Sequence, residues 1–168
     1  MARVFRGEST HKVDGKGRVS IPASFRRALE KNDPDWKEGL LPQFVIVYGW
    51  VKKKKCLLCF SMAEMERIDR KIASMERFTK LRDAFHRIFH TQSVEATVDD
   101  TGRIVLSQRL RELIGITGEA VFAGMGEHFE IWENDAYRAD QARLEEAIDE
   151  ELGEEGDLLA LLDTFSRS

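Results

Sequence analysis

With 168 residues, 42% of them apolar, the chain is long enough for one ordinary core or for two small halves that share one. Its apolar runs, such as Phe44 to Tyr48 and Cys56 to Phe60, are strand-sized, and no signal-like stretch follows Met1-Ala2-Arg3, so a membrane or secreted protein is not expected. Two cysteines, Cys56 and Cys59, are too few for a disulfide framework, and the net charge of −4 taken alone argues mildly against a polyanionic partner.

The charge is segregated. Met1 to His90 carries 20 Lys/Arg against 11 Asp/Glu, whereas Thr91 to Ser168 carries 6 against 19. Such asymmetry points to a basic contact surface and an acidic face or tail, although ordinary solvated charge would give the same counts.

In chain order, a short strand at Thr10 to Val13 enters a Gly-bearing turn and leaves as a second strand, Arg18 to Ile21, which reads as a hairpin. A short helix follows, Ala23 to Leu29, opened by Pro22. Next comes a strand pair, Phe44 to Tyr48 and Cys56 to Phe60, joined by a loop that holds Gly49 and Lys52 to Lys55. Met65, Ile68, Ile72, Met75, Phe78, Leu81, Phe85 and Ile88 are spaced by three or four, which predicts one long apolar helical stripe with a break near Ser74 to Thr79.

The plan then repeats. Asp14-Gly15-Lys16-Gly17-Arg18-Val19-Ser20-Ile21 recurs as Asp99-Asp100-Thr101-Gly102-Arg103-Ile104-Val105-Leu106, and at the same offset Phe25, Arg26 and Leu29 meet Leu110, Arg111 and Ile114. The second hairpin is Val94 to Val98 with Arg103 to Leu106, the second short helix Gln108 to Ile114, and the second strand pair Ala120 to Ala123 with Phe129 to Trp132. Two copies suggest halves facing each other about a local pseudo-dyad. An acidic helix with Tyr137, Leu144, Ile148 and Leu152 is interrupted by Gly153 to Gly156. A last apolar cluster, Leu158 to Phe165, is expected to be helical only when docked. The expected division is 1–61, a linker 62–91, 92–135 and a tail 136–168.

The repeated Asp-x-x-Gly-Arg element is the candidate site. Asp accepts backbone N–H groups at the start of a turn, and Gly17 and Gly102 stand where the turn needs φ > 0. The Arg can pair with that Asp or point outward to phosphates and base edges. Stapling the turn and reading a ligand both remain open. Two tips with Lys12, Lys16, Arg18 and Arg103 would form one basic surface of the sort β-ribbon proteins apply to a DNA groove.

Cys56-x-x-Cys59 and His86-x-x-x-His90 do not make a metal set on spacing, because the gap is far longer than in finger modules and cysteines three apart in a strand face opposite ways. No nucleophile elbow surrounds Ser20, Ser24 or Ser107, and Gly15-x-Gly17 lacks a dinucleotide frame. No enzyme activity, cofactor, metal or small-molecule substrate is expected.

Phe-Arg-Gly-Glu at Phe5 to Glu8, the Asp14 to Pro22 segment with Phe25 to Leu29, and the Asp99 to Ser107 segment with Leu110 to Ile116 together resemble the MraZ proteins, a duplicated branch of the AbrB/SpoVT-like swapped-hairpin superfamily. Phe129 to Glu133 also looks like the family's second-half strand. The resemblance implies an α+β fold, a duplicated swapped-hairpin β-barrel with pseudo-two-fold halves and flanking helices. It further implies a cytoplasmic, nucleoid-associated transcriptional regulator that forms a homo-oligomeric ring. Such a ring would bind double-stranded DNA bearing direct repeats upstream of the division and cell-wall gene cluster, often as a repressor. Family positions carry over to Asp14 and Arg18 and to Asp99 and Arg103; contacts by Lys16 and Lys12 follow from charge and position alone. An antitoxin-like or scaffolding role is the alternative, favoured by the apolar residues Leu158 to Phe165.

Overall fold

β-branched and aromatic runs form strands where they alternate between two covered faces, and Ser, Thr and Asp caps open most of the helices between them. The computed structural model describes residues 4–166. Along the chain lie β1 (Glu8–Lys12), β2 (Arg18–Ser20), α1 (Ala23–Lys31), β3 (Gln43–Val47), β4 (Cys56–Ser61), α2 (Met62–Ala73) and α3 (Lys80–His86), which runs into one π turn at Arg87–Thr91. The second half supplies β5 (Ser93–Thr97), β6 (Arg103–Val105), α4 (Gln108–Ile114), β7 (Glu119–Gly124), β8 (His128–Trp132), α5 (Asn134–Leu152) and α6 (Leu158–Phe165). The chain divides into two compact units, one ending at Asn134 and one beginning at Asp135.

In the first unit the strands are ordered β1-β7-β8-β4-β3-β5, all neighbours antiparallel, and β2 pairs with β6 in a separate two-stranded ribbon. The hairpins expected from the sequence do not form as ladders. β1 leaves its turn partner and pairs with β7 of the other half, β5 pairs with β3, and β2 pairs with β6. Nor does the sheet close into the expected barrel, since β1 and β5 remain its edges.

The pairing is unchanged when the halves are exchanged. Lys12 opposite Glu119 corresponds to Thr97 opposite Gln43, and Glu8 opposite Ala123 to Ser93 opposite Val47. The local two-fold therefore passes between Val19 and Ile104 in the ribbon and between Leu58 and Glu130 in the sheet.

One sheet face, the ribbon and the helices α1 and α4 enclose the main core, which includes Phe5, Val19, Phe25, Leu29, Phe44, Ile104, Leu110, Phe122 and Phe129. Phe129 is its aromatic centre, with ring centroids 5.0 Å from Phe25 and 5.1 Å from Phe5. Full burial of each such ring contributes about 1.5–3 kcal/mol. Val45, Val47, Phe60 and Met65 form a smaller cluster on the opposite face, with Ile68, Ile88 and Phe89 packed against it.

The linker stripe is broken more severely than its spacing suggests. Ser74 ends α2, Phe78 takes a positive φ of 63°, and the Thr79 side chain caps α3 by accepting the Arg82 N–H. Met65 and Ile72 are buried, whereas Phe78 is 98% and Leu81 67% exposed. In the second unit α5 and α6 flank the break at Gly153, whose φ is +67°. α6 is helical, with Asp157 accepting the Leu159 and Ala160 N–H groups at its start, and leaves Leu158, Leu159, Leu162 and Phe165 exposed.

Glu130, on the two-fold, is a buried charge at 2% exposure. Lys54 Nζ donates to its Oε2 at 2.7 Å and Trp132 Nε1 to its Oε1 at 3.1 Å, with His128 Nε2 3.3 Å from Oε2. Burial pushes the carboxyl pKa up, but His128, Lys54 and Trp132 together outweigh it and hold the group below the usual glutamate range. A depressed carboxylate stabilises the fold above its unfolded pKa and ceases to do so as pH falls through the folded value. Glu130→Gln is accordingly expected to lower the Tm at neutral pH by roughly 3–10 °C, corresponding to about 1–3 kcal/mol. It should also flatten the loss of Tm between about pH 5 and 3. Equal acid slopes for the two proteins in a thermal-melt series would contradict this account.

Candidate nucleic-acid interface

Each turn is built by its aspartate. Asp14 Oδ1 accepts the backbone N–H of Lys16 (3.0 Å) and of Arg18 (2.9 Å), and the Gly17 N–H closes the turn on the Asp14 carbonyl at 2.9 Å. In the second copy Asp99 Oδ1 accepts the N–H of Thr101 and of Arg103, both at 2.9 Å, and the Thr101 hydroxyl at 2.7 Å. Both carboxyls are held below the usual aspartate range, chiefly by the backbone N–H of the arginine four residues on; the Arg18 side chain and the Thr101 hydroxyl reinforce this.

Gly17 and Gly102 have φ of +85° and +80°, the positive values the turn chemistry requires. Their carbonyls turn away from their own strand pair and cross to the other half. Gly17 accepts the Leu106 N–H at 2.8 Å, and Gly102 accepts the Ile21 N–H at 3.0 Å.

Each arginine is engaged within its own turn and yet remains partly exposed. Arg18 Nε donates to Asp14 Oδ2 at 2.7 Å, yet its side chain stays 44% exposed. Arg103 is 40% exposed; its Nε donates to Thr101 Oγ1 at 2.9 Å and lies 3.7 Å from Asp99 Oδ2. Asp14 thus aims the Arg18 guanidinium through Nε, and the Thr101 hydroxyl does the same for Arg103, while both side chains stay partly open to solvent.

β2 and β6 bring the two turns together. An open groove of about 560 Å³ is lined by Lys12, Asp14, Arg18, Ser20, Arg103 and Glu119, so four of the expected residues share one surface. Lys16 is exposed at the tip of the first turn, and Asp99 sits at the base of the second, opposite Arg103. Arg26 and Arg111 were visible in the sequence only as equivalent repeat positions. Arg26 Nη1 reaches the Asp100 carbonyl of the other half at 3.5 Å, and Arg111 Nε caps the Leu106 carbonyl at 3.0 Å beside Gly17.

The cysteines and histidines lie elsewhere. Cys56 and Cys59 are buried on opposite faces of β4, and burial pushes the Cys59 thiol well up. His86 Nδ1 and His90 Nδ1 are 2.9 Å apart, and His90 Nε2 is 2.6 Å from Asp69 Oδ1. No group of three metal-binding side chains occurs among the described residues, and none of their helices is long and apolar enough to cross a membrane.

This geometry defines a class: duplicated α+β chains whose halves exchange strands and present one Asp-to-Arg turn twice from a shared ribbon. The family model described as "MraZ protein, putative antitoxin-like" matches the chain twice, over residues 4–88 and 89–155. Among curated relatives, "Transcriptional regulator MraZ" of Ruegeria sp. (strain TM1040) is 47% identical and that of Ruegeria pomeroyi 46% identical, each over 97% of both chains. The same-named protein of Cereibacter sphaeroides (strain ATCC 17025) is 41% identical over 97% of this chain and 98% of its own. The chain belongs to the MraZ family, which is not a family of enzymes.

The two turn glycines differ in what surrounds them. A Cβ at Gly17 would collide with the Leu106 carbonyl, whereas a Cβ at Gly102 would meet nothing nearer than Arg26 Nη1 at 3.9 Å. Gly102→Ala is expected to cost only the positive-φ penalty of about 1–2 kcal/mol, a Tm loss of roughly 2–8 °C. Gly17→Ala is expected to cost clearly more, because the inter-half backbone must also shift. Matched melting temperatures for the two variants would show that the crossing carbonyls do not constrain the ribbon.

Proposed function

We propose that the chain is a sequence-specific transcriptional regulator that binds double-stranded DNA through its paired turns. It works as a homo-oligomeric ring on repeated boxes upstream of the division and cell-wall gene cluster, as a repressor, in the cytoplasm at the nucleoid. Residues 1–61 and 92–135 serve as its two halves, with 62–91 as linker and 136–168 as acidic tail. The observation that carries this reading is the placement of Arg18 and Arg103, four-tenths exposed and pre-aimed by Asp14 and by Thr101 respectively, on one groove with Lys12. A two-stranded ribbon fits a DNA groove, phosphate contacts by Lys12 and Lys16 would set position, and a guanidinium edge suits base acceptors.

A single turn makes few contacts, so affinity arises when several copies engage several boxes at once. A duplex with multiple boxes should bind at least about 100-fold more tightly than a one-box duplex. Equal affinity for the two would remove the ring from the mechanism.

Arg18→Ala is expected to keep its fold and oligomeric mass while losing about 100-fold or more in affinity for the multi-box duplex, each lost bidentate contact being multiplied over the copies. Arg103→Ala should lose less, since the second turn has Asp100 and Thr101 where the first has Gly15 and Lys16, which leaves Arg103 nearly alone there as a cation. Fluorescence anisotropy with the region upstream of the gene measures both, and wild-type binding by a folded Arg18→Ala protein would overturn the reading.

A second reading, an antitoxin-like or scaffolding role, draws on the exposed apolar residues of α6. Co-purification of a stoichiometric small partner, lost when Leu158, Leu162 and Phe165 are made polar, would favour it.

A further inference from the structure

The loop between β3 and β4 is the most basic segment of the chain, and neither the repeated turn nor the core accounts for it. Residues Tyr48 to Lys55 carry four consecutive lysines after an exposed tryptophan: Trp50 is 41% exposed, and Lys52, Lys53 and Lys55 are all exposed. The loop is held in shape. Lys53 and Lys54 N–H groups donate to the Trp50 carbonyl at 3.0 and 2.9 Å, the Arg109 guanidinium sits 5.0 Å from the centre of the Tyr48 ring, and Lys54 turns inward to Glu130. One lysine anchors the loop and three are left on its outer side.

Strand register places this loop at the same end of the sheet as the first turn. Thr10 lies opposite Val121, Val121 opposite Trp132, and Trp132 opposite Cys56, so the end of β1 that leads to Asp14 shares its side with the start of β4. Three inter-strand steps of about 4.8 Å separate them by roughly 14 Å. The major groove of B-DNA is about 12 Å wide, so a turn seated in it would leave the loop over the flanking phosphate strand. The counterpart between β7 and β8 contains Gly124, Met125, Gly126 and Glu127 and no lysine.

We propose that Lys52, Lys53 and Lys55 form a second nucleic-acid contact, gripping the phosphate backbone beside the groove that the Asp14–Arg18 turn enters. This rests on the DNA-binding reading of that turn and adds an affinity element confined to one half. Phosphate contacts position without specifying. The lysines therefore raise affinity for any duplex and leave sequence preference to the arginines, while Trp50 lies close enough to the sugar-phosphate edge to report the contact.

The test uses the full-length oligomer carrying Lys52→Ser, Lys53→Ser and Lys55→Ser together, with Lys54 kept. Anisotropy titrations against the upstream duplex and a scrambled duplex run from about 0.05 to 0.2 M salt. The triple variant is expected to lose about ten-fold or more in affinity for both duplexes and to show a salt slope shallower by about 2 to 3, with the ratio of the two affinities unchanged. Quenching of tryptophan emission by the duplex should disappear in Trp50→Phe. Unchanged affinity and slope, or a fall in the ratio alone, overturns the proposal, as does loop-dependent binding to phosphatidylserine vesicles without any change in duplex binding. Arg18→Ala measured alongside separates the two failures. Wild-type binding by that variant removes the turn reading, whereas its loss of binding beside an unaffected triple variant removes only the loop.

Discussion

The crossing hydrogen bonds of Gly17 and Gly102 are the constraint on which the rest of the site depends. β2 and β6 are three residues each, far too short to persist as a free pair, and the strand that precedes each turn has left to join the other half's sheet. What keeps the ribbon together is the Leu106 N–H on the Gly17 carbonyl, the Ile21 N–H on the Gly102 carbonyl, and Val19 and Ile104 buried back to back at 1% exposure. Each turn is thus closed by residues some 85 positions away. Joining the halves in one chain makes that closure intramolecular, and the entropic cost of the long connection grows only slowly with its length.

Because the ribbon is fixed, its arginines are fixed. A guanidinium on a solvated side chain would lose rotamer freedom on meeting a ligand; one whose Nε is already engaged by Asp14 has given up much of it in the free protein. The aspartate lowers the positive potential at the tip, yet it supplies orientation that a lysine point charge would not need or use. Lys12 and Lys16 stand beside it to restore the charge.

Much of the fold was legible because the duplication repeats residue types that physics ties to a geometry. Asp14, Gly17 and Arg18 recur as Asp99, Gly102 and Arg103, and both turns have the positive-φ glycine and the carboxylate-to-amide bonds those types favour. The short helix Gln108–Ile114 and the strand pairs were likewise placed to within a residue or two by period and flanking breakers. The partners of the strands flanking the two turns were not legible from spacing, although β3 with β4 and β7 with β8 were. A hairpin and an exchanged pair have the same local pattern, and only long-range burial of Val19 against Ile104 distinguishes them. The linker stripe misled for a related reason: the three- and four-residue spacing from Met65 to Ile88 is continuous, but beyond the positive φ at Phe78 the side chains of Phe78, Leu81 and Phe85 are exposed, and only Ile88 returns to the smaller cluster. Arg26 and Arg111 were seen only as a repeated pair, since their roles depend on carbonyls that belong to the crossing.

Symmetry governs the inside of the first unit and fails on its outside, and the failure is informative. Both ladders and the ribbon keep one register under exchange of halves, because a one-residue slip would turn every core side chain to the wrong face. No such penalty protects the tips. The first turn carries Gly15 and Lys16 where the second carries Asp100 and Thr101, and the lysine-rich loop beside β4 is replaced beside β8 by Gly124 to Glu127. The positive potential a polyanion would meet is set by these local differences rather than by the net charge of −4, since exposed charges more than about 8 Å apart are largely screened at physiological salt. A duplicated core can therefore hold two equivalent turns in place while the surface around them diverges, with lysine beside Arg18 and Thr101 on Arg103.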